Sequence, residues 1–191
     1  MTLNAAIAAR GCSSVVKVAQ VTRPDSGSSA AEDLPVADYV ARLARKRMAA
    51  GVLFRDSAGR VLLVEPSYKP NWEIPGGAVE ADESPWAAAQ REVGEELGLL
   101  IPLGRLLVVD YVRPQDSRPE GVVFVFDGGV LPDDSSARMR LRDGEILSAS
   151  FHTLDEAAAL VKPLLLDRLA AGLAGARDGA TVLCEQGRPI M

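Results

Sequence analysis

A mixed β-sheet with helices packed on its faces is the α/β fold that this 191-residue sequence predicts. Three observations carry it. Short runs rich in Val, Leu and Phe recur along the chain, with tight turn signals between neighbouring runs. One strongly punctuated helix stands among them at residues 84–98. A Leu- and Ala-rich segment at 155–175 has helical spacing. Elements mixed in this order argue for layers of helix on sheet. The chain is 48% hydrophobic and 25% charged, enough to bury a sizeable core.

Residues 1–35 read as an N-terminal extension: an Ala-rich start, a β-branched patch "SSVVKVAQV", and a Ser/Gly/Pro linker that places a boundary near Pro35. A domain is expected over 36–176, with a C-terminal tail over 177–191. "VADYVARLARKR" has helical spacing, with Val36, Tyr39, Val40 and Leu43 on one side. "MAAGVLFRD" and "RVLLVEP" read as two strands around a turn at Ser57–Gly59, followed by a short strand at Trp72–Ile74. In the next helix Ser84 is placed to cap the start, Pro85 suits the first position, and Gly98 stands at the end. Its core stripe is expected to be Trp86, Ala89, Val93 and Leu97. "RLLVVDYV", "GVVFVFDGGVL" and "EILSASFHTL" are strands, "DEAAALVKPLLLDRLAAGLAG" is a helix kinked near Pro163, and "TVLCEQGRPI" is extended or irregular.

Composition narrows the function. A net charge of −5 argues against nucleic acid or an anionic membrane as partner, since both reward clustered Lys and Arg. Cys12 and Cys184 lie far apart and outside any C-x-x-C pattern, so neither a disulfide framework nor a zinc site is expected, and a cytoplasmic location follows. The start, with Arg10 interrupting a short apolar run, is a poor export signal. A homodimer is compatible with this composition.

The helix at 84–98 poses a physical problem. Glu92, Glu95 and Glu96 share a face, and each like-charge pair costs a few tenths of a kcal/mol. Such crowding just beyond a Gly-Gly turn makes a hard-oxygen site for Mg²⁺ or Mn²⁺. Glycine lets a backbone carbonyl approach the same cation closely. A cation held there shares its shell with phosphate oxygens, which points to a diphosphate or polyphosphate ligand. A merely solvated acidic face is the alternative.

The spacing speaks against that alternative. Gly77, Glu83, Arg91-Glu92-Val93, Glu95-Glu96 and Gly98-Leu99 stand at the offsets of a complete Nudix box, preceded by a "WEIPGG" that resembles the family's lead-in. Seven specified residues at fixed offsets arise by chance with a probability on the order of one in ten million. The resemblance implies a Nudix α/β/α sandwich and divalent-metal-dependent hydrolysis of a nucleoside diphosphate linked to another group. It implies Glu92, Glu95, Glu96 and the Gly76 carbonyl as metal ligands. Arg91 and Glu83 would brace them. Glu95 or Glu92 is favoured as the base, ahead of Glu145, which stands six residues before Phe151; Asp143 is the fallback. An intact box speaks against a non-catalytic nucleotide sensor, and a nucleoside triphosphate pyrophosphohydrolase is the other alternative within the family.

Specificity is expected outside the box. Pro114 lies fifteen residues beyond Leu99, near where a proline marks the ADP-ribose branch of the family, which makes ADP-ribose or a related nucleotide sugar a candidate substrate. Tyr68 and Trp72 are placed to stack on a base, although Trp72 also suits a core. Arg113 and Arg118 would pair with phosphates or lie exposed. His152, the single histidine, is expected to do no chemistry.

Overall fold

The structure, a computed structural model, describes residues 35–115, 118–132, 135, 139–141 and 144–190. The β-branched patch, Cys12 and Asp143 lie outside the described residues. The chain divides into two units, Met1–Leu43 and Ala44–Met191. In the first, α1 (Val36–Arg42) is a short helix with no buried residue. Val36, Tyr39, Val40 and Leu43 share the expected side, and all are exposed.

The second unit is built on one mixed sheet in the order β6-β2-β1-β5-β4-β7-β8, with β3 also paired to β1. Strand β1 (Arg47–Arg55) turns through a buried Asp56 into β2 (Val61–Pro66). Asp56 Oδ1 accepts the N–H groups of Ala58 and Arg60, a local side-chain bond that closes the turn. Strand β3 (Gly76–Ala78) lies antiparallel to β1, with Gly76 opposite Gly51. The residues at 72–74 form only a bridge, Val64 with Glu73.

Strands β4 (Leu106–Val112) and β5 (Gly121–Val130) are antiparallel, whereas β5 runs parallel to β1. Strand β6 (Ile146–His152) closes one edge against β2. At the other edge the tail expected to be extended or irregular is a hairpin of extended strands, β7 (Val182–Glu185) and β8 (Arg188–Pro189), with β7 parallel to β4. Its pairing with β4 leaves no local pattern, because β4 lies far back in the chain.

Strand alternation sends side chains to two cores, one on each face. Val52, Phe54, Leu62, Val64 and Phe126 face α2 (Pro85–Leu97), whose Ala88, Ala89, Val93 and Leu97 are buried there. Leu53, Val61, Leu63 and Val125 face the helices α3 (Leu154–Leu160) and α4 (Pro163–Asp178). This is the expected α/β/α sandwich.

Two local expectations are corrected. Pro163 does not kink one helix; it begins a second, and Val161 and Lys162 between the two are extended. A proline has no N–H to continue a helix, and it pushes the preceding residue out of the α region. Trp86 is not buried with the stripe. It is 39% exposed on the first turn and meets Phe126 edge-on at 5.2 Å, while Ala88 takes the inner position. Among the described residues no helix is long and apolar enough to cross a membrane.

Candidate functional site

The glutamate helix is punctuated as its sequence requires. Ser84 Oγ accepts the Ala87 N–H at 3.1 Å, Pro85 takes the first turn, and Gly98 ends the helix in the left-handed region. Pairing of β3 with β1 sets the Gly-Gly turn against this helix. At Gly76, with φ at 147°, a Cβ would lie 2.3 Å from the Ala50 carbonyl oxygen. At Gly77 it would lie 2.1 Å from Glu92 Oε1. Only glycine admits both the backbone of β1 and the Glu92 carboxylate at these distances.

Arg91 organises the helix surface. Its Nε and Nη2 donate to the two oxygens of Glu83 at 3.0 and 3.1 Å, a fork-to-carboxylate pair. Nη2 also reaches the Ala78 carbonyl at 3.1 Å. Nη1 donates to Glu92 Oε1 at 3.0 Å and Glu95 Oε2 at 2.9 Å. One guanidinium therefore ties the loop, the β3 strand and two of the crowded carboxylates together. Hydrogen bonds to Glu83 above all raise its pKa, so it stays a cation.

Glu96 points the other way. Its Oε2 accepts the Gly76 N–H at 3.0 Å, and it lines a cavity of about 450 Å³ beside the turn. Burial pushes its carboxyl up to about 8, against the help of that hydrogen bond. Burial also raises Glu92. The charge of Glu145 raises both glutamates, so the chain brings this loop residue, nearly fifty positions downstream, to the same neighbourhood. Glu95 is exposed and does not line the cavity. Among the described residues no three acidic, histidine or cysteine side chains are gathered closely enough to hold a metal ion as they stand. Arg91 and the Gly76 N–H occupy the carboxylates instead.

Metal-free protein should lose stability as pH rises through this window. The unfolded chain releases the Glu96 proton near the ordinary 4.5, whereas the folded chain keeps it to about 8. Between those values the folded state binds more protons, so each step up in pH favours unfolding. Glu92 adds the same sign. Denaturant melts in EDTA should show the decline in wild type and a flatter profile in Glu96→Gln. A wild-type stability that climbs across the window would contradict the burial argument.

The remaining candidates separate. Gly76, Tyr68 and Arg113 line the cavity with Glu96. Tyr68 is 67% exposed, and Lys69 Nζ sits 5.2 Å from its ring centre. Trp72 does not line the cavity: it packs against the α3–α4 core and meets His152 edge-on at 5.3 Å. Its backbone N–H is tied to Leu160, which seats the ring inward. Pro114 follows β4 at the surface and is likewise outside the cavity lining. Arg113 bonds Glu185 of the C-terminal hairpin at 2.7 Å.

Sequence reasoning missed Arg47, Lys162, Arg168 and Asp110. The first three line the cavity. Asp110 is fully buried against Arg168, with its Oδ2 accepting from Arg168 Nε at 2.9 Å and from Nη2 at 2.5 Å. The usable signal was Asp110 inside the apolar run "LLVVDYV" and Arg168 inside the apolar helix "PLLLDRLAAGLAG". A charge inside a buried element needs a partner.

The NUDIX domain family matches residues 45–171. Diphosphoinositol polyphosphate phosphohydrolase 3-alpha of Mus musculus is 43% identical over 91 residues, 47% of this chain and 55% of that protein. Diphosphoinositol polyphosphate phosphohydrolase 2 of Rattus norvegicus is 44% identical over 82 residues, 42% of this chain and 45% of that protein. The chain thus spans about half the length of the curated relatives it matches. Among solved structures, the MutT protein from Methanosarcina mazei Go1 superposes with a TM-score of 0.56 at 23% identity, over 72% of this chain and 98% of that one. An ADP-ribose pyrophosphatase from Streptococcus suis does so with a TM-score of 0.53 at 19% identity, over 74% and 99%. At these identities the structures speak for the fold.

Proposed function

The chain belongs to the Nudix family, and from that premise we propose that it hydrolyses a diphosphate bond in a small phosphorylated molecule with the help of a divalent cation. The observation that carries the reading is the Gly76–Glu96 contact, which puts a box carboxylate and its glycine turn on the wall of a cavity of about 450 Å³. Glu92, Glu95, Glu96 and the Gly76 carbonyl are hard oxygen donors, the chemistry that suits Mg²⁺ or Mn²⁺. The raised Glu96 and Glu92 carboxyls fit the same role, since a cation offsets the cost of ionising a desolvated acid. When bound, the cation supplies Lewis-acid activation of the attacking water and neutralises charge on the leaving phosphate.

The chain's own residues do the rest. Glu95 or Glu92 takes the proton from the attacking water, with Glu145 as the alternative base. Arg91 keeps both box carboxylates on the turn-facing side, and Glu83 fixes Arg91. The Gly76 N–H holds the remaining oxygen of the site in register with the strand.

For the substrate, the cavity lining contains Arg47, Lys69, Arg113, Arg118, Lys162 and Arg168, and a single aromatic ring, Tyr68. That balance suits a multiply phosphorylated molecule better than a base-stacking one. The curated relatives are diphosphoinositol polyphosphate phosphohydrolases by name, and a substrate of that class is the first choice. A nucleoside diphosphate sugar such as ADP-ribose is the second, because the exposed Tyr68 ring lies on the cavity wall.

The test is incubation with Mg²⁺ or Mn²⁺ and a panel of a diphosphoinositol polyphosphate, ADP-ribose, other nucleotide sugars, dinucleoside polyphosphates and nucleoside triphosphates. Products are identified by mass, and Glu95→Gln is run in parallel. Phosphate release from the diphosphoinositol compound, lost with EDTA and in the variant, is expected. Cleavage of ADP-ribose alone would move the second substrate to first place. Binding without cleavage of any member would replace the hydrolase with a nucleotide sensor.

A further inference from the structure

A chain of net charge −5 gathers six cations around one cavity whose lining, among the described residues, holds two carboxylates, Glu73 and Glu96. Lys69 is paired with Glu73 at 2.9 Å, and Arg113 with Glu185 at 2.7 Å. Arg47, Arg118 and Lys162 make no ion pair with a described residue. Cations crowded beside low-dielectric walls reinforce one another's field, so the cavity favours anions.

Arg168 is the unusual member. Its side chain is 9% exposed, and Asp110 takes both Nε and Nη2. Nη1 has no hydrogen-bond partner among the described residues, and the residue lines the cavity. A buried guanidinium fixed on one edge, on a residue that lines a cation-rich cavity, is pre-organised for a phosphate or carboxylate.

Asp110 is itself held from beyond the matched family domain, which ends at 171. Asp110 Oδ1 accepts the Gly187 N–H at 2.9 Å from the turn of the β7–β8 hairpin. Gly187 has φ at 79°, and a Cβ there would lie 2.5 Å from the Leu164 carbonyl oxygen, so the turn sits directly on the first turns of α4. The same hairpin holds the end of β4. Gln186 donates its N–H to the Tyr111 carbonyl at 2.9 Å and accepts from the Arg113 N–H at 2.8 Å, while Glu185 accepts from Arg113 Nε. Both arginines are therefore set by one hairpin.

We propose that Arg168 and Arg113, positioned by Asp110 and the C-terminal hairpin, form a specificity subsite for an anionic group of the substrate other than its scissile diphosphate. Assigning that group to the hydrolysed molecule rests on the hydrolase reading; the binding of an anion there does not. Arg168 and Arg113 set affinity and leave the bond-breaking step to the glutamate helix. Asp110 is a positioning residue that acts through Arg168.

The experiment is calorimetric titration of the full chain in EDTA with myo-inositol hexakisphosphate, which offers phosphates but no diphosphate bond. Wild type and Glu95→Gln should bind alike. Arg168→Lys, which keeps the charge and loses the fork, and Arg113→Gln should each weaken binding about tenfold. Arg177→Gln, a surface cation paired with Asp178 outside the cavity, should leave it unchanged. Unchanged binding in both cavity variants, equal weakening by Arg177→Gln, or no binding by wild type would overturn the subsite. Should Arg168→Lys fail to fold, the exposed Arg113→Gln decides alone. Weakened binding in the cavity variants alongside a negative hydrolysis panel would retire the hydrolase and keep the subsite.

Discussion

Glu96→Gln should cut hydrolysis by about 10³-fold, the scale on which removing one preorganised electrostatic group slows a reaction, while stabilising the metal-free protein above pH 8. The two effects have one cause. Glutamine keeps the shape and an oxygen for the Gly76 N–H, so the turn stays in place. It removes a carboxylate whose ionisation is opposed by burial and by the charges of Glu92 and Glu145. Without a cation that charge is a liability, and its loss raises the melting temperature; with Mg²⁺ the same charge is proposed to be a ligand, and its loss removes activity. Parallel measurements of kcat and of melts in EDTA decide it. Retained activity would exclude Glu96 from the site, and a destabilised variant at high pH would show that the Gly76 contact needs the full carboxylate.

Asp110→Ala should destabilise the chain by about 3–5 kcal/mol, the usual cost of stranding a buried charge, and lower the melting temperature by roughly 10 °C. Asp110 is completely buried, Arg168 nearly so, and the Gly187 N–H would lose its acceptor as well. Asp110→Leu combined with Arg168→Met should recover most of the loss, since two apolar side chains of similar size remove the stranded charge. Equilibrium denaturation of the two variants beside wild type measures both effects. A single variant within about 1 kcal/mol of wild type would mean that solvent reaches Arg168 freely, and the positioning role of Asp110 would fall with it.

How much of this could be read beforehand differs from element to element. The glutamate helix was legible to its ends, because Ser84, Pro85 and Gly98 act within one turn of the groups they satisfy. The turn between β1 and β2 was legible too, since Asp56 closes it with bonds to residues two and four positions away. At Pro163 the sequence pattern alone predicts a kink, because the spacing on both sides is helical. Spacing predicts Trp86 in the core, yet at the first turn its ring meets Phe126 edge-on and stays partly exposed.

By itself the sequence determined the interleaving of strands and helices, the two buried faces, and the family, because periodicity and a motif at fixed offsets are local properties of the chain. Tertiary structure alone decided the cavity. Arg47 stands on the first strand, Arg113 just past the fourth and Arg168 on the last helix, and they meet only because β1, β5 and β4 pair in that order with α4 packed behind them. The bond from Asp110 to Gly187 spans seventy-seven residues. Contacts at such separations leave no period in the sequence, since what selects them is the burial of a charge that only its partner can satisfy.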